Sequence, residues 1–598
     1  VFTEGLGDKL YKLTDKQINE KCQFISSYIK ATNAATGSEI DANSNIINKT
    51  IATIESELYK VDMTQVNMRL VCDKISEMYG TELANQYIKD LESHVIYAHD
   101  ASSLRPYCAS ITLYPFLLEG TKCLGGVSKA PKNLQSFCGS FVNLIYQVTS
   151  DYAGAIATVE FLHYFDYFAR KEYGERYLTE HRSEVIQELQ GVVYALNQPA
   201  SARGNQSCFW NISIFDKPYM AEMFKGFFYP DGTTVNLEST RDLQEVFMSW
   251  FRHEREKELL TFPVVTASML TSDSGFVDTK FMEFCSSEMS LGNSFFVYMS
   301  DSVDSLSSCC RLQNKLADNT FSYTLGAGGV VTGSAQVITL NMNRIVQTNV
   351  DLDEIQSRVH KYLLAHKALY VEYIKNGLLP SFTAGFMDID KQFLTIGING
   401  FVEAAEYLGM TISNNDTYKT WAGKVLNQLS MNNKKALEET GCRFNCEQVP
   451  AEALGVKNAN WDKADGLKVN RDCYNSYFYL SEDENTSILD KIKLHGNEIT
   501  QYLDGGSALH LALGQTISYK QAKDLFELCR VNGVPYWTIN VKFSVCNKCG
   551  YIDSNTEKYC IKCGSDDIDY ATRVIGYLKR IKNFSEARQR EAERRFYI

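Results

Sequence analysis

No stretch of this chain approaches the roughly 18 uninterrupted apolar residues that a membrane-crossing helix requires. The opening residues Val1-Phe2-Thr3-Glu4-Gly5 lack the basic and apolar regions of a secretory leader, so a cytoplasmic protein with no membrane partner is expected. Positive charge is in deficit: 60 lysines and arginines face 72 aspartates and glutamates, a net charge of −12. That balance argues against a large phosphate-tracking surface, and so against DNA as a partner, while leaving room for a nucleotide. There is no Gly-x-x-x-x-Gly-Lys-Ser/Thr phosphate loop and no regulatory nucleotide-binding repeat near the start. Prolines number ten against 35 tyrosines and 32 phenylalanines, which points to a rigid, well-packed interior.

Cysteine is plentiful. Seventeen of them, an odd number in a chain without export signals, indicate metal binding or thiol chemistry rather than a disulfide framework. Cys546-Asn547-Lys548-Cys549-Gly550 and Cys560-Ile561-Lys562-Cys563-Gly564 are two Cys-x-x-Cys knuckles with ten residues between them. Four thiolates in tetrahedral reach suit one structural Zn²⁺, with iron the minor option, because all four positions are filled by protein. Residues 541–570 are too few to fold on a hydrophobic core, so the metal would supply that folding energy.

Residues 1–90 read as helical, with apolar spacing of three and four over Gln17–Ala31, Ile46–Tyr59 and Val66–Met78. Further on, a helix is expected over Asn143–Gly174, whose small residues Gly154-Ala155-Ile156-Ala157 would let backbones approach and whose His163 is expected to pack in the core. Asp351 caps a clear amphipathic helix running to Asn376. Strand-like runs recur at Arg105–Ile111, Cys208–Phe215, Phe262–Ala267, Ser294–Tyr298, Val337–Asn341 and Cys442–Val449. Strands alternating with helices over some 400 residues favour an α/β barrel or a large wound sheet.

Two stretches carry the chemistry. Ala571-Thr572-Arg573-Val574-Ile575-Gly576-Tyr577-Leu578 resembles the loop of the glycyl radical enzymes, where only glycine can lie flat in the backbone and be approached closely. Leu306-Ser307-Ser308-Cys309-Cys310-Arg311-Leu312, followed by Leu325-Gly326-Ala327-Gly328-Gly329 and a strand ending at Asn341, is similar to the finger loop of class III, anaerobic ribonucleotide reductases. From the residues alone, two small buried cysteines in a turn would be an equal reading of Cys309-Cys310.

The resemblance covers about residues 40–598 and implies a ten-stranded α/β barrel with a central finger loop. It divides the chain into a helical segment (1–90), the barrel (91–540), the zinc knuckle (541–570) and the radical loop with its tail (571–598). Gly576 would store the radical, Cys310 would become the thiyl that attacks the substrate, and Cys108 would be the second thiol. Glu447 lies where members that draw electrons from a dithiol protein place a carboxylate, and such a buried group could move protons. Ser334 stands near the position where formate users carry asparagine, which favours a thioredoxin-like reductant over formate. Substrate contacts are expected at Ser334, Asn341, Gly505, Gly506 and Ser507, the last three as a turn that could offer amides to a phosphate. The implied partners are a separate radical activase using S-adenosylmethionine and an iron–sulfur cluster, ribonucleoside triphosphates, deoxynucleotide or ATP effectors, and a second copy in a homodimer. Another glycyl radical enzyme of the pyruvate formate-lyase type is the nearest alternative, and a non-catalytic zinc-ribbon protein binding nucleic acid is the alternative from a different class. The knuckle beside the glycine argues against the former and the acidic balance against the latter.

Overall fold

The computed structural model describes residues 13–598 apart from 39, 41–43, 47, 304, 309–311, 316–329 and 451–452, with the backbone alone described for 202, 305–308 and 312–315. The first half of the barrel comprises β1 (Cys108–Ser110), β2 (Ile156–Ala157), β3 (Trp210–Phe215), β4 (Val264–Ser272) and β5 (Phe296–Ser300). The second comprises β6 (Thr332–Asn341), β7 (Gln392–Asn399), β8 (Phe444–Gln448), β9 (Leu509–Leu513) and β10 (Tyr536–Val541). They lie in the order β8-β7-β6-β1-β2-β3-β4-β5-β10-β9, and Ile96–Ala98 and Gly275–Phe276 flank β6 and β4 to complete a twelve-stranded sheet.

Within each half neighbouring strands run parallel. The halves meet antiparallel at two seams, β6 against β1 and β5 against β10. Glu447 and Gly506 form a parallel bridge that ties β8 to the segment entering β9, so the ten-strand path closes on itself. Closure removes the exposed edges an open sheet would present.

Outward faces carry Ile338, Leu340, Ile396, Ile398 and Cys446, all buried in one continuous apolar core under the surrounding helices. The helix Leu352–Lys375 packs there as its pattern requires, with the Asp351 side chain accepting from the Glu354 amide. His163 is fully buried, and neither ring nitrogen has a partner; burial pushes its pKa down to about 3, so it stays neutral as a core residue.

Two expectations change. Ile51–Tyr79 is one 29-residue helix, not two, because nothing between its apolar stretches breaks it before Gly80. The helix expected over 143–174 is instead Leu134–Val148, the strand β2, and Phe161–Tyr173. The small residues do permit close approach, but between strands: the Gly154 amide donates to the Tyr107 carbonyl at 2.6 Å.

Beyond β10 the chain forms a four-stranded sheet of β11 (Phe543–Cys546), β12 (Ile552–Asp553), β13 (Ile568–Arg573) and β14 (Leu578–Arg580), in the order β12-β11-β13-β14. Gly576 occupies the turn between β13 and β14.

Candidate active site and metal centre

Alternation fixes which side chains face the barrel interior. Because Phe444 and Cys446 pack outward, Asn445 and Glu447 point inward. In register with Asn445 stands Thr395 on β7, whose hydroxyl lies 2.7 Å from that of Ser334 on β6. Ser334 in turn sits opposite Cys108 on β1 across the seam. Asn445, Thr395, Ser334 and Cys108 thus form one staggered row over four neighbouring strands, offset between β7 and β6, where Thr395 pairs with Val337 and reaches Ser334 diagonally, and all four are buried. Sequence periodicity did not pick out Thr395 or Asn445, since strands covered on both faces show no clean alternation.

The Gly576 loop sits against this interior. Gly576 is buried, as are Val574, Ile575 and Tyr577 around it. Arg595 grips the approach to it: Nη1 donates to the Arg573 carbonyl at 3.0 Å and Nη2 to the Val574 carbonyl at 2.5 Å, while Nε pairs with Glu591 at 2.6 Å. Asn540 on β10 also donates to the Arg573 carbonyl, at 3.1 Å, and shares its amide with His510 at 2.8 Å. The Arg573 side chain runs back into the protein, where it meets the hydroxyl and carbonyl of Ser294 and lies over the Phe296 ring. Burial lowers its pKa to about 10, which leaves it charged at neutral pH. On the other side, Tyr577 bonds Ser44 at 2.9 Å and meets Phe209 edge-on at 5.3 Å. Phe209 packs against the buried pair Cys108 and Ala155, so its ring links the wall that carries the thiol to the glycine loop. Asn33 adds bonds to the carbonyls of Lys582 and Phe584 at 2.8 and 2.9 Å. The N-terminal segment therefore docks on this loop, a contact between residues more than 500 positions apart that no local pattern reveals.

Cys310, like Cys309, falls outside the described residues. Glu447 is buried on the interior face. Asn341 has a structural occupation: its side chain donates to the buried Asp462 at 2.9 Å and accepts from the Arg344 amide, capping a short helix. Asp462 further receives Arg344 at 2.8 Å and Tyr474 at 2.6 Å. The glycine pair also does something other than present amides to a phosphate. The Gly505 amide donates to the Cys446 carbonyl at 2.8 Å and that of Gly506 to the Leu503 carbonyl at 3.1 Å. A Cβ on residue 505 would lie 2.6 Å from the Cys446 oxygen, so glycine is required where this segment closes the barrel. The Ser507 hydroxyl lies 3.5 Å from Nδ1 of His495.

In the knuckle, the sulfurs of Cys546, Cys549, Cys560 and Cys563 all lie within 4.8 Å of one another. The pairs Cys546–Cys563 and Cys549–Cys560 are each separated by 3.6 Å. A tetrahedron with Zn–S bonds of about 2.3 Å has edges of about 3.8 Å, so the four sulfurs match a single ion. Gly550 and Gly564 take left-handed φ values of 75° and 71°, which turn the chain back and bring each pair of sulfurs together. Arg580 binds Asp569 at 2.5 Å and Asn547 at 2.9 Å, tying the strand that leaves the glycine loop to the knuckle.

No helix among the described residues is long and apolar enough to cross a membrane. A sequence search of the curated proteins gave no match. The family model for anaerobic ribonucleoside-triphosphate reductase matches residues 57–597. Among solved structures, an anaerobic ribonucleotide reductase superposes with a TM-score of 0.84 at 26% identity, covering 98% of this chain and 93% of that one. The Thermotoga maritima anaerobic ribonucleotide reductase with dATP in its specificity site gives 0.80 at 25% identity, covering 96% and 99%. The same enzyme in complex with dATP and CTP gives 0.81 at 25%, covering 97% and 99%. With a closed ten-strand path, a glycine turn against its interior and a four-sulfur knuckle behind that turn, this chain belongs to the anaerobic ribonucleoside-triphosphate reductase family.

Proposed function

We propose that this enzyme carries out its anaerobic reduction through Gly576, Cys310 and Cys108, with a dithiol protein as the electron source. Gly576, once stripped of a hydrogen atom by a separate activase, takes one back from the Cys310 thiol and leaves a thiyl radical. That thiyl removes the 3′-hydrogen of the ribonucleotide, and the 2′-hydroxyl departs as water after protonation. Two electrons and two protons come from a dithiol that becomes a disulfide, so ribonucleotide and dithiol give deoxyribonucleotide, disulfide and water. The Cys108 thiol faces the substrate in this scheme, and Glu447 moves the proton.

The observation that carries this reading is the burial of Gly576 in a loop fixed by Arg595 and Asn540 and linked through the Phe209 ring to the wall that carries Cys108. Atom transfer demands near-contact geometry and exclusion of water, which a gripped, buried loop provides. The inward, buried Glu447 supports a dithiol reductant, as does Ser334, whose hydroxyl is engaged with Thr395. Cys546, Cys549, Cys560 and Cys563 would hold Zn²⁺, which bound there supplies folding energy to the sheet that presents Gly576. By analogy with the Thermotoga maritima complexes with dATP and CTP, ribonucleoside triphosphates are the substrates and deoxynucleotides the effectors; the homodimer rests on the family resemblance of the sequence alone.

The test is anaerobic electron paramagnetic resonance after treatment with an activase, S-adenosylmethionine and a reductant. A doublet is expected in the parent chain and in Cys310→Ser, but not in Gly576→Ala; Cys310→Ser should make no deoxynucleotide. Turnover by Cys310→Ser would refute the thiyl assignment. Turnover with formate but not with a reduced thioredoxin-like protein would refute the dithiol.

A further inference from the structure

Asn445 is fully buried, and neither its Oδ1 nor its Nδ2 has a hydrogen-bond partner. Among the described residues it is the one buried carboxamide with both ends unmatched. Such a group is expensive to keep, and a structural role would be served by the bonds it lacks. Its neighbours in the row have partners: Thr395 and Ser334 bond each other, and the Cys108 carbonyl accepts from Gln392 at 3.0 Å. Among the described residues, then, nothing meets the polar ends of Asn445, which leaves them available to a ligand.

Its position says which. Asn445 shares the interior face with Glu447, two residues along β8, and lies in the same staggered row as Cys108, three strands away. With strands about 4.8 Å apart, the row spans about 14 Å of curved wall, and its side chains converge on one volume. A carboxamide offers an acceptor and a donor side by side, which matches a vicinal diol, where one hydroxyl donates and the other accepts. We infer that Asn445 binds the 2′,3′-diol of the ribonucleotide and so sets the preference for ribose over deoxyribose. This rests on the substrate and thiol placement proposed above. Loss of the 2′-hydroxyl would leave the amide half-satisfied again, which favours release of the product.

The experiment measures binding of CTP, 2′-deoxy-CTP and 3′-deoxy-CTP to the full-length, unactivated enzyme by equilibrium dialysis. The parent should prefer CTP by about tenfold over either deoxy form. Asn445→Leu, which keeps the branching and the number of side-chain heavy atoms, should bind all three within about twofold of one another; Asn445→Ser should behave alike and, being smaller, guards against misfolding of the first variant. A tenfold preference retained in both variants would overturn the inference while leaving the radical chemistry standing. Absence of CTP binding by the parent would overturn the substrate reading and this inference with it.

Discussion

Replacing Arg595 with methionine keeps much of the side chain's length and its packing on Tyr477 but removes the fork that grips the glycine loop. Two bonds from a charged donor are lost, at the carbonyls of Arg573 and Val574. Each is worth about 1.5–3 kcal/mol. Counting both bonds at the lower value gives about 3 kcal/mol, with Asn540 keeping the Arg573 carbonyl from being left bare. At 1.4 kcal/mol per tenfold, that raises the population of the released loop by about a hundredfold. Hydrogen exchange read by mass spectrometry on a peptide covering residues 571–580 should therefore accelerate by about two orders of magnitude. A peptide covering β3 should exchange as before, which separates local release from general unfolding. An acceleration of less than about threefold would refute the idea that Arg595 fixes the loop. Arg595→Lys should fall in between, since an ammonium cannot span both carbonyls as a planar fork does.

Removal of the metal makes a second prediction: Cys549→Ser or a strong chelator should lower zinc from about one ion per chain to near zero and abolish activity, with far-ultraviolet circular dichroism of the barrel little changed. Elemental analysis and turnover read this directly, and full activity at zero zinc would refute the support assigned to the knuckle. A third concerns Glu160, whose carboxyl burial pushes up to about 8 from an ordinary 4.5. The folded chain then holds a proton that the unfolded chain releases, so the contribution of Glu160 to stability is most favourable below about pH 4.5 and declines as pH rises toward 8, by at most roughly 5 kcal/mol. Glu160→Gln should flatten that decline in thermal midpoints measured from pH 5 to 8; parallel slopes in parent and variant would sink the argument.

The parts of this molecule written in local spacing were legible early. Two Cys-x-x-Cys-Gly strings describe a metal site whatever surrounds them, and Asp351 with Glu354 marks a helix start from four residues. The glycine loop was identifiable because its sequence is long and unusual. What could not be read were pairings set by barrel closure. Gly505 and Gly506 look like any phosphate-binding turn until β8 is seen against them, and Asn341 looks like a strand-end ligand until Asp462 arrives from more than a hundred residues away. The two-residue strand β2 carries no periodicity at all, and the small residues that enter it read as part of a helix. The docking of Ser44 and Asn33 on the glycine loop depends wholly on tertiary contact.

The two antiparallel seams also bear on biosynthesis. A chain emerging from the ribosome completes its first five strands at Ser300, when β1 and β5 are both still bare. Their partners follow only with β6 and with β10, which ends at Val541. At about 5–20 residues per second, β1 waits roughly 2–8 s and β5 roughly 12–50 s, during which a nascent half-barrel exposes edges able to pair with a neighbouring chain. Cys108 gains Ser334 across the first seam only when the second half begins to dock, so translation itself delays the assembly of a reactive interior.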